Sequence, residues 1–246
     1  MAKNAYIGID NVARKVKQPY IGVDNVARKV KSGYVGIDNV ARECFSLISA
    51  TSVGDLAVGT SVYINNCEMI VIQQGLPSDA YDSSCDGTWL MMKDSMITAY
   101  SGIDLFLTEH IYTHYLGPAV KEIVKNVFLP CDTGGGGILN APYQAFLLSS
   151  TEIGLNNGAV LDEGAVLDYF KDGDTSKLIC HYKYGSYDYG AMTWWLRTVI
   201  GTTAYIVTAT GTLSTWSTTT TSAMVSRAAI ILPPDTPIDE NYNVIV

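Results

Sequence analysis

Apolar and polar positions alternate with a period of two through AYIGIDNVARKVKQ, and the phrase then returns as PYIGVDNVARKVKS and GYVGIDNVARECFS. In the first copy Asp10-Asn11, a turn-favouring pair, sits between Tyr6-Ile7-Gly8-Ile9 and Val12-Ala13-Arg14-Lys15-Val16, which predicts a β-hairpin. Folding about that turn sets Ile9 opposite Val12 and Ile7 opposite Arg14. One face then carries Ile7, Ile9, Val12 and Val16, and the other Tyr6, Gly8, Ala13 and Lys15. A lone two-stranded hairpin is marginal in water, so tandem copies point to burial against one another or against another chain. Residues 1–46 are therefore expected to be an all-β anchor that assembles.

Beyond Phe45 the pattern changes. Residues 53–75 alternate in short runs separated by Gly and Asn-Asn, which predicts two or three strands. Residues 103–128 change to helical spacing at Tyr112, Leu116, Val120, Ile123 and Val127, with Gly117-Pro118 dividing them into two helices. A glycine loop at 134–137 precedes an apolar strand at Ala145–Leu148, and a short helical piece is expected around Val166–Phe170. From Tyr182 to Leu232 the texture is strand and turn throughout, dense in Tyr, Thr, Ser and Gly, and an acidic tail follows Pro233-Pro234. The expected class is α+β, with domains at 1–46, 47–233 and 234–246.

Charge sharpens this division. The net value of −8 conceals eight Lys/Arg against four Asp/Glu in residues 1–46, and eight against twenty in the rest. An acidic body does not suit nucleic acid, whose phosphates need clustered cations. The basic charges of the repeats fall at strand spacing and read as a solvated face. No apolar run approaches the ~20 residues of a membrane helix, and MAKNAYIGID lacks the apolar core of a signal peptide, so the chain is expected to be made in a cytoplasm without membrane insertion. Five cysteines without a C-x-x-C pair favour neither a disulfide framework nor a zinc cage, and all five are expected to be free.

Catalytic and metal chemistry finds little support. His110 and His114 stand four apart beside Glu109, but the order is not H-E-x-x-H and His181 is distant; a polar helix face accounts for them. The glycine run has no following Lys-Ser/Thr to make a phosphate cradle, and the Asp-rich segments at 82–87 and 172–174 keep no calcium-loop spacing. No nucleophile, base and orienting acid can be assembled, so no enzyme, cofactor or metal is expected. The Tyr and hydroxyl residues near the C-terminus suit a binding surface, and equally an ordinary exposed strand.

Four segments in order resemble a family of uncharacterised domains found in prophages of gut bacteria: Leu90-Met91-Met92-Lys93-Asp94, Phe146 to Gly154 (FLLSSTEIG), Trp194-Trp195-Leu196-Arg197-Thr198, and Arg227 to Pro233 (RAAIILP). Members typically show L-L-M-K-D, F-L-L-S-x-x-E-x-G, W-W-L-R-S and V-R-P-A-L; here Thr198 replaces the Ser, and Ser226-Arg227-Ala228-Ala229 replaces V-R-P-A. That family is similar to the C-type-lectin-like, formylglycine-generating-enzyme-like fold of phage receptor-binding proteins, including those varied by diversity-generating retroelements. The sequence shows neither the lectins' E-P-N motif nor the enzyme's cysteine pair, so the resemblance carries no sugar specificity and no catalysis.

The resemblance implies a virion tail-fibre or tail-tip protein that binds a host cell-surface protein or glycan, with residues 1–46 contacting other virion proteins in a homo-oligomer, a trimer by preference. The alternative is a decoration or baseplate component that touches only virion proteins. In that fold the Trp-Trp strand is core, and the segments between it and the closing Arg strand display the ligand surface. Exposure is therefore expected from Thr198 onward. The expected contact residues are Tyr184, Tyr187, Tyr189, Thr202, Tyr205, Ser214, Trp216 and Thr218, with Tyr205 and Trp216 as anchors.

Overall fold

The computed structural model describes the backbone of six strands between residues 6 and 46, and residues 51–246 except 66, 99, 134–135, 185–186 and 220–223. The side chains of residues 1–51, 97 and 184 also lie outside the described residues, among them Val16 and Cys44. The chain divides into two compact units, Met1–Thr51 and Ser52–Val246.

In the first unit β1 (Tyr6–Ile9) pairs with β2 (Val12–Lys15), β3 (Tyr20–Val23) with β4 (Val26–Lys29), and β5 (Ser32–Ile37) with β6 (Val40–Ser46). Ile9 stands opposite Val12 and Ile7 opposite Arg14, and the second hairpin keeps the same register with Val23 opposite Val26. The repeated sequence gives a repeated backbone because the same alternation of side chains flanks each strand pair.

The second unit is β-rich with a few short helices. Its strands are β7 (Thr51–Ser52), β8 (Ser61–Ile64), β9 (Cys67–Gln74), β10 (Thr88–Met92), β11 (Met96–Thr98), β12 (Val127–Asp132), β13 (Ile138–Tyr143), β14 (Ala145–Leu147), β15 (Cys180–Tyr184), β16 (Tyr187–Met192), β17 (Trp194–Ile200), β18 (Thr203–Val207), β19 (Leu213–Ser217), β20 (Met224–Ser226), β21 (Ala228–Leu232) and β22 (Pro237–Ile238). One five-stranded sheet has the order β14-β21-β10-β9-β8, and a second has β11-β20-β17-β18-β19. β10 and β21 are buried at every position because both faces of their sheet are covered. Leu90, Ile230, Trp195, Ala204 and Ile206 belong to one core cluster, and Trp89, Ile231, Trp194, Leu196, Tyr205 and Val207 to the other. The period-two alternation of a strand thus divides each apolar run between two cores. β17 lies between β20 and β18, which is why Trp194 and Trp195 are both fully buried.

Helical residues cover the first cluster. Ile103–Leu105 continues through wider π-type turns at Phe106–His110 and Tyr112–Leu116, burying Phe106, Leu107, Ile111, Tyr112 and Leu116. Gly117, at φ 83°, ends the stretch where the sequence places a break, and Pro118–Lys121 begins a second, much shorter helix. Helix does not reach Phe128 as expected: Val127 already lies in β12, opposite Tyr143 of β13, so its apolar character serves a strand pair. Residues 234–246 fall within the second compact unit, not in a separate tail. Tyr63 of β8 donates its N–H to Tyr242 O and accepts from Val244 N, both at 2.9 Å, so the C-terminus covers the outer strand of the first sheet.

A buried polar network joins the two sheets. Arg197, on β17, lies 2.8 Å from Glu152 with both side chains almost closed to solvent. It also donates to Leu147 O at 2.7 Å, and its backbone N–H meets Leu148 O at 2.9 Å. Glu152 accepts further from Ser149 N at 2.8 Å and Tyr81 Oη at 3.1 Å. Burial, and then the charge of Glu152, push the Tyr81 phenol far above its ordinary pKa, so it stays neutral and donates. Gly164, at φ +108°, lets Tyr81 in: a Cβ there would come within 2.1 Å of the phenol oxygen. Beside this, Glu163 accepts from Asp132 N at 2.9 Å and from the Thr198 hydroxyl. Thr198 is therefore fully buried, and exposure does not begin at that residue as expected.

Removing one member of a buried ion pair leaves the other charge uncompensated, so Arg197→Met should lower unfolding free energy by about 3–5 kcal/mol. The double variant Arg197→Met/Glu152→Leu should lose clearly less than the sum of the two single variants. Urea unfolding of the three proteins measures this; additive losses would show that the pair is not coupled.

Candidate functional site

The alternation that builds the core also decides which expected contact residues reach solvent. In β18 paired with β19, Ala204 faces Trp216, Tyr205 faces Thr215 and Ile206 faces Ser214. Cross-strand partners share a face, so Trp216 and Ser214 lie on the side of Ala204 and Ile206, and Tyr205 points the other way. Tyr205 is 2% exposed, packs in the second core cluster and sets its hydroxyl 3.4 Å from Asn157 Oδ1. Its expected role as a surface anchor is corrected: on the inner strand β18 its face is covered by the second core cluster.

Trp216 is 46% exposed on the outer strand of the second sheet. It borders a groove of about 400 Å³ whose lining includes Met192, Ile206, Thr208, Ser214 and Met224. Ile206 and Met224 are buried and form its apolar floor; Ser214 and Thr208 stand at its rim, and the Thr208 hydroxyl oxygen lies 3.0 and 2.7 Å from those of Thr210 and Thr212. Sequence reasoning missed Met192, Ile206 and Met224, which come from three different strands. The signal within reach was the alternation Ser214-x-Trp216, which marks one face; its partner strand and register were the unknowns.

Thr202 and Thr218 meet beside the turn between β17 and β18. Thr218 donates both its backbone N–H and its hydroxyl to Thr202 O at 2.9 Å, so its hydroxyl hydrogen serves the turn. Tyr187 and Tyr189 lie on β16 and are 71% and 60% exposed; Tyr189 stacks on Tyr182 with ring centroids 5.1 Å apart. Further along the same strand, Ala191 and Met192 reach the Trp216 groove. The backbone of Tyr184 pairs with Tyr187, and its side chain lies outside the described residues.

Cys67, Cys85, Cys131 and Cys180 are free thiols. Burial, with smaller contributions from Asp94 and Glu68, pushes Cys67 up to about 12; burial also raises Cys85 to about 11 and Cys180 above the ordinary value, so these three stay protonated at neutral pH. His110 and His114 stack edge-on at 5.5 Å, and among the described residues no group of three or more His, Cys, Asp or Glu is placed to hold a metal. The register shift between Trp195 and Val199 interrupts the alternation of β17; Arg197 accordingly reaches Glu152 next to Tyr81 of the second core, not the side of Trp195 as strict alternation expects.

Tyr205→Ala should destabilise the fold by about 3 kcal/mol, the range for emptying a large core site. Trp216→Ala should stay within about 1 kcal/mol of the parent, since its ring has little to leave behind. Thermal unfolding of the two variants measures the contrast; equal losses would place Trp216 in the core.

Residues 86–234 match a family described as a domain of unknown function, DUF6273. No curated protein matches the chain, and no solved structure does. The matched region takes in the motif residues Glu152, Arg197 and Arg227, the Trp216 groove and more than half of the chain, so the protein belongs to the DUF6273 family.

Proposed function

We propose that the protein is a phage virion component, of the tail fibre or tail tip, that binds a host-surface ligand through the groove bordered by Trp216. The observation that carries this reading is the pairing of a half-exposed indole with an apolar floor and a hydroxyl rim. An exposed Trp supplies large contact area at low entropic cost, and adjacent hydroxyls supply adaptable hydrogen bonds. The exposed Tyr187 and Tyr189 extend the aromatic surface along β16. The phage assignment and the C-type-lectin-like fold rest on the four motif segments, together with the β-rich, α+β character of the body. In this reading the virion is assembled in the host bacterial cytoplasm. The three hairpins dock to other virion proteins and bring copies together, as a trimer, by pairing edges that each two-stranded unit leaves open within its own hairpin.

A second reading, a decoration or baseplate component contacting only virion proteins, draws on a different surface. Phe128, Ile138 and Leu139 are all exposed on the β12–β13 hairpin, and apolar residues gathered on one exposed element suit protein contact.

Binding of fluorescently labelled protein to host cells separates the two. Trp216→Ala should weaken binding by about 2 kcal/mol if the groove is a hot spot, while Leu139→Asp leaves it unchanged. Unchanged cell binding by folded Trp216→Ala sinks the groove reading. Loss of particle incorporation in Leu139→Asp, with no cell binding by the parent protein, establishes the second.

A further inference from the structure

Residues 47–246 carry only eight Lys/Arg against twenty Asp/Glu, yet four of the eight meet at one cavity. Lys93, Lys177, Lys183 and Arg227 border a space of about 340 Å³, away from the Trp216 groove, with Asp94 and Asp188 as the carboxylates in its wall. Gathering half of a domain's scarce cations at one place raises their mutual repulsion, so each needs compensation. Three have it within the chain: Lys93 pairs with Glu68 at 2.8 Å, Lys177 with Asp172 at 2.6 Å and Lys183 with Asp94 at 2.9 Å.

Arg227 differs. It is 2% exposed, and its hydrogen-bond partners among the described residues are carbonyls: Met92 O, 2.8 Å from Nε, and Lys177 O, 2.9 Å from Nη1. Its guanidinium carbon sits 5.6 Å from the centre of the Trp194 ring. Two carbonyls and an indole fix the plane of the group, while Nη2 has no protein acceptor among the described residues. A buried guanidinium with no carboxylate partner is costly, and a fixed fork with a spare donor suits a planar or tetrahedral oxyanion. The carboxylates in the wall are engaged: Asp94 with Lys183, and Asp188 with Gly190 N at 2.7 Å and His181 Nδ1 at 3.0 Å.

We propose that this cavity binds an oxyanion, either inorganic or the acid group of a larger ligand, with Arg227 as the fixed donor and Lys177 and Lys183 as flanking charges. The proposal is independent of the reading of the Trp216 groove, since none of these residues lines it.

The test is an NMR titration of the full-length protein at constant ionic strength, exchanging chloride for sulfate, with parallel titrations of glucuronate and glucose. Sulfate should produce saturable shifts at Ser176, Lys177 and His181 with a midpoint in roughly the millimolar range, and Lys183→Glu should weaken it about tenfold while leaving thermal unfolding unchanged. Lys183 is chosen because its side chain is exposed and the variant can fold. A response to glucuronate but not glucose assigns the site to an acid group on a sugar, and a response to sulfate alone assigns it to a free oxyanion. Absence of saturable shifts with both anions up to about 50 mM, or equal shifts in the parent and Lys183→Glu, overturns the proposal.

Discussion

The ion pair between Arg197 and Glu152 is the constraint on which the rest of the second unit depends. Neither charge can reach water, so each must be satisfied where it stands, and the groups that satisfy them come from separate parts of the chain. Leu147 and Leu148 at the end of β14 present carbonyls to Arg197; Ser149 N and Tyr81 donate to Glu152. β14 belongs to one sheet and β17 to the other, so this network sets where the second sheet joins the first. β18 and β19 continue outward from β17, and the Trp216 groove inherits its position from that junction. The resemblance motifs thus include residues whose work is architectural: Glu152 and Arg197 hold the junction, and Trp194 and Trp195 fill a core on each side of it.

A sheet covered on both faces imposes a second constraint. The inner strands β17 and β18 divide their side chains between two cores, whereas on the outer strand β19 the residues from Ser214 to Ser217 are all exposed. Trp216 escapes because β19 has β18 on one side only in its sheet, whereas Tyr205, one strand further in, is covered on its own face by the second core. Aromatic and hydroxyl composition therefore did not separate the residue that packs from the one that is displayed.

What the sequence made legible was local. The hairpin register at Ile9 and Val12 follows from alternation about Asp10-Asn11, the helix break from Gly117-Pro118, and the burial of both Trp194 and Trp195 from their adjacency on an inner strand. What remained hidden was set by pairing across long stretches of chain. Val127 kept helical spacing but was claimed by Tyr143 in a hairpin, Thr198 was drawn inside by Glu163, and the C-terminal residues were taken up by the free edge of β8. The floor of the candidate groove brings Met192, Ile206 and Met224 together from strands whose order no local pattern announces.

The β15–β16 hairpin borders both the cation-lined cavity and the Trp216 groove. Asp188 faces the cation-bordered space, while Ala191 and Met192, three and four residues further along the same strand, reach the Trp216 groove. His181 and Asp188 hold each other across the hairpin, and the backbone of Gly190 adds a further hydrogen bond to the Asp188 carboxylate, which these contacts hold below its usual pKa. The strand separating the two sites is thereby tied at its polar end and packed at its apolar end.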